Sequence, residues 1–222
     1  MSNPAEPAKI KICGIIEEAT LSGMAGQPVD YIGFMFAEKS RRRVSPEQAG
    51  KLHAYSRSIP MADGRPPRTV GVFVNPTMEL LAETLQAVPL DVVQLHGEET
   101  PDFCREVGDK FGVEVWRALP VTEDTGPERL QDYSGAVSAI LLDTAGGGTG
   151  VAFGWDVIPA YQAEAAMHGL MLFIAGGLNP GNAELLITGY RPNGVDVSSG
   201  VETDGVKDNA KISAFAERVK RS

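Results

Sequence analysis

Short apolar runs rich in β-forming residues recur along the chain, at 10–15, 30–36, 69–74, 91–96, 114–119, 139–143, 171–175 and 194–197. Segments of helical pattern separate them, at 45–57, 76–87, 100–111, 156–168, 180–188 and 207–220, with weaker helical patterns at 17–25 and 127–133. Four helical segments open on a polar residue followed by proline: Ser45-Pro46, Asn75-Pro76, Thr100-Pro101 and Asn179-Pro180. Each pair predicts an N-cap with proline at the first helical position. Strands alternating with helices imply a parallel sheet, because parallel neighbours need crossover connections.

Spacing alone leaves an open sheet and a closed barrel both available, and strand parity separates them. Side chains alternate faces along a strand. Ile10 and Ile12 share one face, Lys11 and Cys13 the other; Val93 and Leu95 oppose Gln94 and His96; Val195 and Val197 oppose Asp196 and Ser198; Ile140 and Leu142 oppose Asp143. An open sheet covered by helices on both sides wants both faces apolar. Here one face turns polar towards the strand ends, which predicts an α/β fold, a single (β/α)8 TIM barrel of eight parallel strands with its site at the C-terminal mouth. Closure makes the first and eighth strands neighbours, so Lys11 and Asp196 are expected to pair, either as a self-satisfying buried ion pair or with a direct catalytic role. The proline-bearing stretch 60–67 is too short for a linker, so one catalytic domain is expected over 1–222, with 1–8 as a flexible extension.

With 222 residues the chain can bury a large core. Its formal net charge of -9 argues against a nucleic-acid or anionic-membrane partner, but not against a small anion held by local N–H groups and arginines. Two cysteines allow no disulfide framework, which suits a reducing, cytoplasmic setting. The N-terminus carries no apolar signal-peptide run, and no stretch is long and apolar enough to span a bilayer. No His- or carboxylate-rich set has metal-ligand spacing, so no metal site is expected.

Cys13 ends the first strand, before Gly14, where catalytic side chains of a barrel emerge. A thiol, with an ordinary pKa of about 8.5, needs positive potential to act as a base, and Lys11 on the same face is a source. The alternative is a packed thiol serving as a small hydrophobe, which is the reading of Cys104 beside Phe103 on a helix. Asp143 closes an apolar strand; a carboxyl there can have its pKa raised, as a general acid requires, or can simply cap a turn. Glycine-rich turns follow the last three strands, at 146–150, Gly176-Gly177 and Ser198-Ser199-Gly200. Glycines let N–H groups approach an anion, and barrel enzymes build phosphate sites after strands seven and eight. Arg41-Arg42-Arg43 reads as a solvated loop or as a fork for a carboxylate. His96 either reaches the site or bonds locally, and His53 and His168 fall on helices.

With these residues in place, the chain resembles the phosphoribosylanthranilate isomerase family from Lys9 to about Arg218. The segments carrying the resemblance are KICG (11–14), GFMF (33–36), 40–44, VGVFV (70–74), VQLHG (93–97), LLD (141–143), GGTG (147–150), AGGLNP (175–180), DVSSGVE (196–202) and KD (207–208). The resemblance implies an Amadori rearrangement in tryptophan biosynthesis without cofactor or metal. N-(5′-phosphoribosyl)anthranilate would become 1-(2-carboxyphenylamino)-1-deoxy-D-ribulose 5-phosphate. It implies Cys13 as base, Asp143 as acid, Arg42 on the anthranilate carboxylate, and Gly176, Gly177, Ser199 and Gly200 on the phosphate, helped by the turn after strand six. The only partner expected is that phosphorylated small molecule, with the chain a monomer or homodimer.

Two positions depart from the family pattern: Arg41 and Arg43 flank Arg42 where the family often has proline and an aromatic, and Gly154 replaces an aspartate N-cap. A histidine-pathway isomerase would carry aspartates at the ends of strands one and five, whereas Cys13 occupies the first of these. A non-catalytic phosphometabolite-binding barrel would not need both Cys13 and Asp143.

Overall fold

The computed structural model describes residues 7–122, 126–144 and 154–221. Eight strands, β1 (Lys9–Cys13), β2 (Tyr31–Met35), β3 (Arg68–Phe73), β4 (Val92–Leu95), β5 (Glu114–Val121), β6 (Ala139–Thr144), β7 (Met171–Ile174) and β8 (Gly194–Val197), pair in parallel in chain order. The barrel closes where β1 meets β8, with Lys11 opposite Asp196. The helices outside it are α1 (Glu18–Gly23), α2 (Pro46–Ser56), α3 (Met78–Ala87), α4 (Pro101–Phe111), α5 (Ile158–Met167), α6 (Ala183–Tyr190) and α7 (Asn209–Lys220). Among the described residues no helix is long and apolar enough to cross a membrane.

Strand parity translates into two separate apolar clusters. Ile10, Ile12, Val93, Leu95, Ile140, Leu142, Val195 and Val197 point outward and pack with helix residues such as Leu52, Leu81, Val107, Leu186 and Phe215. The lumen is filled by Tyr31, Val70, Val72, Val92, Trp116, Leu141 and Phe173, all essentially buried. Three of these are rings in mutual contact: Tyr31 meets Trp116 edge-on at 4.8 Å, and Trp116 lies 4.6 Å from Phe173. They plug the lumen, while Lys11, Gln94, Asp143 and Asp196 supply its polar inner positions.

Local caps explain where some helices start and correct other expectations. Ser45 accepts from the Gln48 N–H at 3.1 Å and Thr100 from the Phe103 N–H at 3.2 Å, each with proline next in line, as their sequence signals predict. Asn75 and Asn179 are not caps. Asn75 takes a left-handed φ of 47° and accepts from the Glu98 N–H at 2.7 Å, tying two loops together, while Thr77 caps α3 instead. Asn179 folds its own loop, accepting from the Gly181 N–H at 2.8 Å, and α6 begins only at Ala183. Residues Pro127–Tyr133 form a 3-10 helix rather than an α-helix. Only Leu130 of that stretch is buried, too little packing to stabilise a longer element. Beyond Gly154, which offers no side-chain cap, the chain makes a 3-10 turn (Trp155–Val157) before α5.

The lumen rings are buried and packed against one another. Phe173→Ala is expected to cost about 3–5 kcal/mol, read as a fall in the urea midpoint at unchanged slope.

Candidate active site

The mouth of the barrel is organised from its closing seam. Lys11 Nζ lies 2.9 Å from Asp196 Oδ2, with both side chains buried. Cys13, two residues further along the same inner face, is also buried, and its carbonyl accepts from Ser198 Oγ at 3.0 Å. Burial pushes the Cys13 thiol up; Lys11 and Lys207 pull it down, Asp196 pushes it further up, and the net shift is above the ordinary value. Burial pulls the Lys11 ammonium down, but Asp196 and the thiol outweigh it and leave it above its ordinary value, so Lys11 stays charged. Asp196 Oδ1 is buried with no hydrogen-bond partner, an acceptor left open inside the barrel.

Asp143 is the penultimate residue of β6, across the mouth. Its Oδ1 accepts from the Thr144 N–H at 2.7 Å, and its Oδ2 lies 3.3 Å from His96 Nε2. His96 Nδ1 is 3.2 Å from Gln94 Nε2. The imidazole thus turns Nδ1 towards the Gln94 amide and Nε2 towards the Asp143 carboxylate. The loop bearing His96 is held from outside the barrel. Arg117, 4% exposed, donates to the carbonyls of Leu95 at 3.0 Å and Gly97 at 2.7 Å, and pairs with Glu99 at 3.2 Å. Glu99 in turn accepts from the N–H groups of Asn75 and Gly97. The sequence signal for this clamp was a charged side chain on the outward face of β5, between Trp116 and Ala118, where an apolar residue is the norm.

Of the three arginines, Arg42 reaches the site. Its stem crosses directly over Gly14, whose φ of 83° and lack of a Cβ permit the approach. Its side chain is 13% exposed against 61% for Arg41, and Arg43 is an exposed residue. The guanidinium binds Glu202 in a two-point fork, Nε to Oε1 at 2.5 Å and Nη2 to Oε2 at 2.9 Å. Lys207 Nζ shares Oε1 at 2.7 Å and Arg41 Nη2 shares Oε2 at 2.6 Å. Burial alone pushes the Glu202 carboxyl up, but hydrogen bonds from Arg42 and Lys207 outweigh it and hold it at about 2. Glu202 and Lys207 belong to motifs visible in the sequence, yet nothing in their spacing reveals that they converge with Arg42.

A pocket of about 240 Å³ opens where the loops after β7 and β8 meet, lined by Gly177, Leu178, Asn179, Ser199 and Gly200. Gly176 and Gly177 both have left-handed φ, 80° and 65°, and a Cβ on Gly176 would collide with Thr144 and Asp143. Asn182 stabilises the turn by donating to the Gly177 carbonyl at 2.9 Å and accepting from the Asn179 N–H at 2.9 Å. Among the described residues, no protein acceptor takes the N–H groups of Gly177, Ser199 and Gly200. Such a glycine-lined set of free donors suits a phosphate-type anion. The glycine turn at 146–150 lies outside the described residues.

A parallel barrel with an ionisable thiol, a carboxyl and an anion pocket at its C-terminal mouth is the architecture of a TIM-barrel enzyme. The chain belongs to the N-(5′-phosphoribosyl)anthranilate isomerase family, whose sequence profile matches residues 10–218. It is 48% identical to the N-(5′-phosphoribosyl)anthranilate isomerase of Brevibacillus brevis over 217 residues, 96% of this chain and 93% of the relative. Among solved structures it resembles the dimeric enzyme of Thermotoga maritima in a form with mutually generated monomers (TM-score 0.81, 35% identity, 97% and 100% of the two chains). It matches equally well a phosphoribosylanthranilate isomerase in complex with reduced 1-(o-carboxyphenylamino)-1-deoxyribulose 5-phosphate (TM-score 0.81, 34% identity, 97% and 100%).

Two outcomes follow from these charges. Lys11→Met strands the buried Asp196 carboxylate and is expected to cost about 3–5 kcal/mol, whereas Lys11→Met with Asp196→Leu recovers most of it; urea denaturation of both variants checks this. The Glu202 carboxyl, depressed from 4.5 to about 2 on folding, contributes stability that is complete above pH 4.5 and lost as pH falls towards 2. The urea-midpoint gap between wild type and Glu202→Gln should therefore narrow across that window.

Proposed function

We propose that this chain converts N-(5′-phosphoribosyl)anthranilate to 1-(2-carboxyphenylamino)-1-deoxy-D-ribulose 5-phosphate, with Cys13 as base and Asp143 as acid. The observation that carries this reading is the order of the strands around the mouth. Cys13 on β1 and Asp143 on β6 flank β7 and β8, whose loops form the anion pocket. A substrate with its phosphate in that pocket presents its sugar carbons between the two groups. Gly176, Gly177, Ser199 and Gly200 hold the phosphate, and Arg42 takes the anthranilate carboxylate.

The chemistry is proton transfer throughout. Asp143 protonates the furanose ring oxygen, the C1′–O bond breaks, and the nitrogen lone pair forms the C1′=N⁺ iminium. The Cys13 thiolate then removes the C2′ proton, and the C–H electrons form the C1′=C2′ double bond of an enolamine. That species becomes the ketone by gaining a proton at C1′ and losing one from the C2′ hydroxyl. Burial favours the neutral thiol, which is the wrong form for a base, and the ammonium groups of Lys11 and Lys207 oppose it. His96, with Nε2 3.3 Å from Asp143 Oδ2, is placed to exchange a proton with that carboxyl between turnovers. The protein works in this reading as a cytoplasmic monomer or homodimer; two buried free thiols suit a reducing compartment, and sedimentation distinguishes the two assemblies.

Loss of substrate fluorescence on adding the purified protein tests the activity. Cys13→Ala and Asp143→Ala are each expected to lower kcat by about 10²–10⁴-fold with unchanged thermal melting. Arg42→Ala should mainly raise KM, by about ten- to a hundredfold. Wild-type turnover in either catalytic variant removes the assigned role, and a wild-type protein that binds phosphorylated ligand without turnover favours a binding barrel instead.

A further inference from the structure

Glu202 satisfies more cations than any other carboxylate among the described residues, and its place in the fold is fixed independently of them. It starts a short antiparallel hairpin in which Glu202 pairs directly with Lys207. Its own carbonyl accepts from Lys211 Nζ at 2.7 Å, and the Asp208 N–H returns to the Val201 carbonyl at 2.9 Å, so the backbone beneath the carboxylate is pinned at both ends. The side chain is only 4% exposed, and both oxygens are shared: Oε1 by Arg42 Nε and Lys207 Nζ, Oε2 by Arg42 Nη2 and Arg41 Nη2.

Which edge of Arg42 is engaged matters. A guanidinium has five N–H donors in a rigid plane and can bind one carboxylate along its Nε/Nη2 side while offering its other edge to a second. Glu202 takes the Nε and Nη2 edge, and Arg42 Nη1 has no partner among the described residues. The side chain has four rotatable bonds and substantial rotamer entropy. Gripped on one side and laid across Gly14, it has lost that freedom before a ligand arrives. An acceptor so firmly bound by Lys207 and Arg41 is not a competitor that leaves when substrate enters.

We propose that Glu202 is a specificity-positioning residue: it grips Arg42 side-on so that the remaining guanidinium edge is preset for the carboxylate on the aromatic ring of the substrate. The proposal rests on the assignment of Arg42 to that carboxylate. It makes discrimination between carboxylated and carboxylate-free arylamine adducts depend on a residue that does not itself meet the ligand.

The test compares kcat/KM for the phosphoribosyl adducts of anthranilate and of aniline, the same molecule without its carboxylate, in wild type, Glu202→Gln, Arg42→Ala, Arg42→Lys and the Glu202→Gln/Arg42→Ala double variant. Glu202→Gln should reduce the preference for the anthranilate adduct by about tenfold or more, through KM for that substrate. In the Arg42→Ala background the same change should leave the preference unaltered. A common fall in kcat for both adducts, transmitted through Lys207, does not alter the ratio. Arg42→Lys keeps the charge but lacks the rigid plane that grips one carboxylate two-pronged while holding a second edge preset; it should lose the preference as fully as Arg42→Ala, and it decides the matter if Glu202→Gln does not fold. An unchanged preference in Glu202→Gln, an equal effect with and without Arg42, or a preference retained in Arg42→Lys overturns the proposal. If Arg42→Ala itself keeps the wild-type preference, the assignment of Arg42 fails, and this proposal with it.

Discussion

The structure depends on one ion pair inside the barrel. A charge in a protein interior is expensive unless a partner meets it at close range. Lys11 and Asp196 occupy inward positions on the first and last strands, so neither is satisfied unless those strands lie side by side. The pair thus constrains closure, and closure places the ends of β1 and β8 together at the mouth. The same ammonium lies close enough to Cys13 to offset part of its burial, so the contact that satisfies the seam also contributes to the electrostatics of the thiol.

Around that seam the mouth divides into regions held by different means. On the β1 and β8 side the groups are charged and mutually saturated: Glu202 collects Arg41, Arg42 and Lys207, and Lys207 also donates to the Ser198 carbonyl at 3.0 Å. On the β4 and β6 side the network is largely backbone, with Arg117 and Glu99 bonding loop carbonyls and N–H groups so that His96 rests against Asp143. Between them the N–H groups of Gly177, Ser199 and Gly200 have no acceptor among the described residues. Rigid flanks around a donor-rich gap suit the proposed acid–base role, in which rate advantage rests on positioning and local potential.

Much of this was legible in the sequence, for a definite reason. Strand parity is a period-two signal, and at 10–13, 93–96 and 195–198 it separated wall from lumen, so the barrel and the Lys11–Asp196 contact could be anticipated. Ser45 and Thr100 announced their helices because the cap and the proline act locally. Asn75 and Asn179 carry the same local signal but are claimed by other partners, the Glu98 N–H in one case and the anion loop in the other. The grouping of Glu202 and Lys207 with Arg42, and of Glu99 with Arg117, joins segments far apart in the chain. No periodicity reports such a meeting, although an arginine on the outward face of β5 is an anomaly that could have prompted the question.

The central claim is that both members of the seam's ion pair act on the ionisation of Cys13, in opposite directions, and it is tested most directly by titrating that thiol. In a Cys104→Ser background Cys13 is the only cysteine, so its ultraviolet thiolate absorbance can be followed against pH in wild type, Lys11→Met and Asp196→Asn. The account predicts opposite displacements: the midpoint rises when the ammonium is removed and falls when the carboxylate is neutralised, with the alkaline rise in kcat/KM moving in step. Midpoints that coincide in all three proteins, or that shift in the same direction in both variants, would contradict it.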